Sequence, residues 1–290
     1  MAHRHYDRTA WRATQPDAPP LSPAQQAQLY AVAPGLPDGE IEAIYVPLTA
    51  RLQHLIEGQP RPFMIGIAGS VAAGKSTVAR LLQVLLIEWA GLPTVQIVST
   101  DGFLYPTATL EARGLMHRKG FPESYDAALL LHTLQGVRAG EYHEAPIYSH
   151  RTYDRLPNTT TAIQQPDVLI VEGINVLQPL PEHPEGIRPF LDITLYVDAE
   201  EDTLFRWFRS RFQALLEAAK DDPSAYLHPF STMTPTEVKA RATHIWTSVN
   251  LLNLREHIRP TRQYADLILA KSANHRVTTV SLREPSQGHA

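Results

Sequence analysis

The chain contains no cysteine, which excludes disulfides, a thiol nucleophile and thiolate-ligated metal together and agrees with a reducing compartment. Long apolar runs are missing as well. No stretch approaches the ~18 residues that a membrane-spanning helix requires, and the polar, proline-rich segment from Met1 to Pro20 lacks the apolar centre of a signal peptide. Nor is there an excess of positive charge: 26 basic against 30 acidic side chains give a net charge of −4. No broad field then favours nucleic acid or an anionic membrane, and a polyanion must be met locally. The expectation is a soluble, cytoplasmic protein with no nucleic-acid partner and no membrane partner. Lysine is scarce, so Lys75 and Lys271 stand out against an arginine background. With 43% hydrophobic residues among 290, there is ample material for a sizeable core.

What is present centres on Gly69-Ser70-Val71-Ala72-Ala73-Gly74-Lys75-Ser76-Thr77, preceded by the apolar run from Phe63 to Ala68. The stretch fits G-x-x-x-x-G-K-S/T, the phosphate-binding loop. Small residues let backbone N–H groups wrap a polyphosphate, and a helix starting near Lys75 points the positive end of its dipole at that charge. Lys75 adds a mobile cation, and the Ser76 hydroxyl can ligate Mg²⁺.

Along the chain, residues 1–20 read as a tail or arm packed on the surface, and Ser22-Pro23 opens a short helix to about Ala31. Residues 1–39 are thus an N-terminal arm with a short helix, and 40–290 a single domain. Helical spacing from Glu40 to Ile56 is interrupted near Pro47. A strand over 63–68, a helix over 75–89 and a second strand over 94–100 form a βαβ unit. Helices are predicted at 107–113, 126–137, 200–220 and 234–254, and further strands at 167–172, 192–198, 265–270 and 277–282. Residues 141–165 read as short strand-like pieces that leave the sheet and cover a site. This alternation gives an α/β fold with a mostly parallel sheet flanked by helices on both faces.

Ligands of open parallel sheets bind at the carboxyl ends of the strands. The phosphate loop, Asp101 and Glu172 each follow a different strand and so face one edge. Asp101 can accept a hydroxyl proton or orient Mg²⁺, and Glu172 can hold the metal. Of Arg206, Arg209 and Arg211, one is expected to reach the site while the others face solvent. Tyr148, Tyr153, Phe208 and Phe212 can belong to core or pocket; periodicity does not choose.

Beyond the loop, Thr100 to Phe103, Lys119 to Asp126, Tyr148 to His150 with Tyr153-Asp154, Val171 to Gly173 and Lys271 to His275 follow in order. Together they resemble the bacterial type I pantothenate kinases from about residue 40 to 283. The resemblance implies a P-loop kinase fold, a homodimer, and ATP- and Mg²⁺-dependent phosphorylation of pantothenate to 4′-phosphopantothenate, the first step of coenzyme A biosynthesis. It further implies that Gly69 to Thr77 bind the ATP phosphates, with Lys75, Asp101 and Arg211 catalytic and Ser76 and Glu172 on the metal. By the same resemblance Tyr148, His150, Tyr153 and Asn250 contact pantothenate, and Lys271 and His275 lie at the adenine end. Coenzyme A would inhibit through Lys75, Arg80 and Phe212. Phe208 and Leu215 stand where the family has Tyr and Phe, and Ala33 falls near an expected Asn. The departures at Phe208 and Leu215 imply a reshaped pocket for the pantetheine arm and altered feedback inhibition, whereas Ala33 removes an expected contact near the adenine. Two other readings remain, a uridine or phosphoribulose kinase and a non-catalytic nucleotide-dependent switch; no N-K-x-D or L-S-G-G-Q stretch favours the latter.

Overall fold

The computed structural model describes residues 3–15 and 18–284. Its frame is a seven-stranded sheet. In chain order the elements are β1 (His3–Asp7), α1 (Arg8–Arg12), α2 (Pro23–Val32), α3 (Val46–Ile56), β2 (Phe63–Gly69), α4 (Lys75–Glu88), β3 (Val95–Ser99), α5 (Thr107–Ala112) and α6 (Ala127–Arg138). There follow β4 (His143–Ser149), β5 (Asp154–Ile163), β6 (Val168–Glu172), β7 (Ile193–Ala199), α7 (Glu201–Ala218), α8 (Pro235–Ile245), β8 (Leu267–Lys271) and β9 (Val277–Arg283).

The sheet order is β1-β9-β8-β7-β2-β6-β3, parallel from β3 to β8 and antiparallel at β9 and β1. Every residue of β2 and β6 is buried, as near-continuous apolar runs covered on both faces demand. Helix α4 packs across β2, β3 and β6 and is backed by α2 and α3. Its Val78, Leu81, Leu82, Leu85 and Leu86 enter the main core together with Leu204 and Trp207 of α7. A second small core joins Phe212 and Leu216 of α7 to Ala242 of α8. The hairpin β4–β5 stands apart from the main sheet, the excursion expected at 141–165.

Register fixes the functional edge. Ile67, Glu172 and Ser99 form one row across β2, β6 and β3, so the phosphate loop, Glu172 and Asp101 emerge at the same end. On the other flank Gly69 pairs with Val197, and Ala199, two residues on, pairs with Lys271. Lys271 therefore lies at that end too.

The first twenty residues differ from expectation. His3–Asp7 is an edge strand on β9, and Trp11 is fully buried, its Nε1–H donating to Ile44 O at 3.1 Å. An edge strand with an exposed face carries no apolar alternation, and its partner lies more than 270 residues away, so no local pattern announces it. Residues 1–2 and 16–17 of that arm lie outside the described residues. Near Pro47 the expected interruption is a π-helical turn, Ile41–Tyr45, that leads into α3. The helix expected over 234–254 runs as α8 and then as a π-helical turn, Trp246–Asn250.

Candidate active site

Gly69 ends β2 with φ +140°, and a Cβ there would overlap the carbonyl oxygen of Val197. Only glycine lets the chain turn out of the sheet so close to β7. Gly74 then takes φ +96° before α4. Lys75 is buried and donates from Nζ to Ser70 O at 3.0 Å, folding back over the loop. The Ser76 hydroxyl donates to Glu172 Oε1 at 3.0 Å, joining the start of α4 to the end of β6.

Asp101 sits in the 3₁₀ turn Thr100–Phe103 that continues β3. It borders a cavity of about 280 Å³ lined also by Ser99, Glu172, Pro146, Tyr148 and His150. Burial raises the Asp101 carboxyl above the usual carboxylate range, against the opposing pull of Lys75, Arg211 and Lys119. Burial lowers Lys75, while Glu172 and Asp101 support its charge and Arg211 opposes it. Lys75 and Glu172 are buried and Asp101 is half-buried beside them, so their ion interactions are stronger than in water, whereas Arg211 is exposed and acts on them from α7. Among the three arginines of α7, Arg211 acts on this cluster, whereas Arg206 bonds Asp202 O and Thr203 Oγ1 of its own helix.

An aromatic wall closes the other side. Tyr148 meets His150 edge-on with centroids 5.3 Å apart and Tyr153 at 6.3 Å. Tyr153 adopts φ +54° and stacks on Tyr226 at 4.8 Å. Burial, then Arg211, pushes His150 down to about 4; burial raises Tyr153 to about 12.

At the opposite end of the loop, Lys271 donates from Nζ to Ala73 O at 3.2 Å and is pulled down to about 8 by burial. The His275 ring stacks on Trp207 at 4.2 Å. Arg80 is exposed one turn along α4 and bonds Ser76 O. Phe212 is in the second core and stacks on Phe208 at 6.1 Å. Asn250 is half-buried at the end of its π-helical turn; Asn253 of the same helical run donates to Gly120 O at 2.8 Å.

Three residues belong to this site geometry that the sequence reading gave no site role, although Lys119 opens one of the motifs quoted above. Lys119 Nζ donates to Tyr153 O at 2.5 Å and Thr107 Oγ1 at 3.1 Å and lies 4.1 Å from the Tyr153 ring centroid. Its scarcity and its basic neighbours Arg113, His117 and Arg118 were the available signal. Tyr226 and Trp207 offered none, because each meets its partner only through tertiary packing.

Residues 64–214 match the model of the phosphoribulokinase/uridine kinase family. Curated relatives are similar over almost the whole length. A pantothenate kinase of Parvibaculum lavamentivorans is 44% identical, with 97% of this chain and 93% of the relative covered. A pantothenate kinase of Bradyrhizobium sp. (strain ORS 278) is 43% identical, with 97% and 96% covered. Among solved structures, the YGR205w protein superposes with a TM-score of 0.59 at 16% identity, covering 84% of this chain and 97% of that one. A candidate fructose transport system kinase from Silicibacter sp. TM1040 gives 0.57 at 21%, covering 75% and 94%. At those identities the structures support the fold alone.

Proposed function

The chain belongs to the phosphoribulokinase/uridine kinase family and, by its near full-length likeness, to the pantothenate kinases within it, and we propose that it transfers the terminal phosphate of ATP to the 4′-hydroxyl of pantothenate. The observation that carries this reading is the meeting of Lys75, Asp101 and Glu172 at one sheet edge, with the charge of Arg211 acting on them from α7, opposite an aromatic wall able to hold a small polar acceptor.

In this reading Asp101 accepts the hydroxyl proton as the acceptor oxygen attacks the terminal phosphorus and the bond to the ADP oxygen breaks. A carboxylate made more basic by burial suits that role. Lys75 and Arg211 offset the charge that develops on the transferred group, and the backbone from Gly69 to Thr77 cradles the phosphates. Ser76 and Glu172 offer the hard oxygen donors that Mg²⁺ takes alongside nucleotide phosphates, and the metal would offset phosphate charge there. Tyr148, His150, Tyr153 and Asn250 hold the acceptor, while Lys271 and His275 meet the nucleotide at its adenine end.

The likeness to pantothenate kinases extends the proposal to the opening step of coenzyme A synthesis, a cytoplasmic homodimer, and feedback inhibition by coenzyme A through Lys75, Arg80 and Phe212. The absence of a described helix long and apolar enough to cross a membrane is compatible with this. The test is an acceptor panel with purified protein. Pantothenate is expected to accelerate ATP consumption well above uridine, ribulose 5-phosphate or no acceptor, and consumption indifferent to pantothenate would end the reading. Tight nucleotide binding without turnover on any acceptor would instead favour a switch.

A further inference from the structure

The N-terminal arm reaches the nucleotide end of the site through one ion pair. Glu40 is fully buried. Its Oε2 accepts from Arg8 Nη1, and its Oε1 accepts from the backbone N–H of Val277 at 2.6 Å. Arg8 also donates to Val277 O at 2.9 Å and to Gly39 O at 3.4 Å. Val277 stands opposite Lys271 where the β8–β9 ladder shifts register. The turn between the two strands carries Ala273, which accepts from Trp207 Nε1 at 3.2 Å, and His275, stacked on the same indole. Arg8 and Glu40 are therefore bolted to the backbone of the hairpin that presents Lys271 to Ala73 of the phosphate loop.

A buried ion pair is a weak source of net stability, because desolvation consumes most of the attraction. Position and charge explain this one better. Glu40 is the carboxylate that supports the charge of the buried Lys271. Besides Glu40, the titratable group against Lys271 is His275, with Arg8 beyond Glu40.

We infer that Arg8 and Glu40 are positioning residues of the nucleotide site: anchored in the N-terminal arm and at the entry to α3, they hold a charged Lys271 against the phosphate loop. The inference rests on the proposed reading of Lys271 as a nucleotide contact.

Steady-state kinetics on Lys271→Met, Glu40→Gln, Arg8→Met and Arg8→Lys test it. Glu40→Gln is expected to raise KM for ATP about tenfold, with KM for pantothenate and kcat near wild type, the mark of lost ground-state binding. The effect should grow from about pH 7 to about pH 9, because without the carboxylate Lys271 loses its proton earlier. In a Lys271→Met background Glu40→Gln should add little, since both changes act on one interaction. Arg8→Lys should recover part of what Arg8→Met loses.

If Lys271→Met leaves KM for ATP unchanged, the nucleotide reading of Lys271 is wrong and the inference goes with it. If Lys271→Met raises that KM while Glu40→Gln and Arg8→Met behave as wild type, the inference alone is overturned. An equal rise in both KM values at both pH values, or an undiminished effect in the double variant, would reduce the pair to a structural role and overturn it too. Should Glu40→Gln fail to fold, Arg8→Met decides alone, because that side chain is partly exposed: a selective rise in KM for ATP upholds the inference and none overturns it.

Discussion

Residue 102 carries no side chain, and the carbonyl oxygen of Pro146 fills the place where its Cβ would stand. The contact seats the β4–β5 hairpin directly on the turn that carries Asp101. Any added carbon must separate the two. Gly102→Ala is expected to displace the hairpin, raise KM for pantothenate and lower kcat, while KM for ATP changes little because the phosphate loop lies two strands away. Steady-state kinetics with each substrate varied in turn would show this; a uniform loss for both substrates would contradict it.

Asp101→Asn should keep ATP affinity close to wild type and lower turnover by roughly 10²–10⁴, the usual worth of a positioned base. Lys75→Met behaves differently, since its ammonium meets phosphate charge both before and during transfer, so affinity and rate fall together. Calorimetric ATP titrations beside single-turnover rates separate the two patterns. An Asp101→Asn enzyme with normal turnover would remove the proposed base.

His150 links stability to pH. Its folded-state value of about 4 lies below its ordinary value of about 6.5. The unfolded chain then binds more protons between those values, so stability that is present above about pH 6.5 is lost as pH falls toward about 4. The residue is exposed, and solvent screening keeps the effect small. Denaturant titrations of wild type and His150→Gln across this window should show a flatter acid limb for the variant. Equal slopes would place the ring in ordinary solvent.

Trp11→Ala should cost about 3–5 kcal/mol, the range for truncating a large buried aromatic, because Trp11 is fully enclosed and bonded to Ile44 O. Through α1 it also fixes Arg8. Urea unfolding measures the loss directly. A change near zero would mean that residues 3–15 pack only loosely on the sheet.

Much of this architecture was legible from local chemistry. The apolar runs beginning at Phe63 and Val168 announced strands, the Gly69–Thr77 pattern announced the loop, and Ser22-Pro23 opened the expected short helix, with Ser22 as its N-cap. Asp101 and Glu172 were found because each follows a strand, and in a parallel sheet strand ends share an edge. Arg211 could be named among three candidates only by resemblance, since helical spacing alone leaves Arg206, Arg209 and Arg211 undivided.

Sequence by itself thus determined the strands of the main sheet from β2 onward, the phosphate loop and the edge on which chemistry can occur, because those depend on short-range patterning and on the rule that parallel strands point one way. Tertiary structure alone decided that His3–Asp7 closes the sheet, that Trp207 stacks on His275, that Lys119 bonds the Tyr153 carbonyl, and that Glu40 reaches Val277. Each of those joins residues far apart in the chain. Their energies come from packing and from charges buried together, and neither leaves a period or a motif in the amino-acid order.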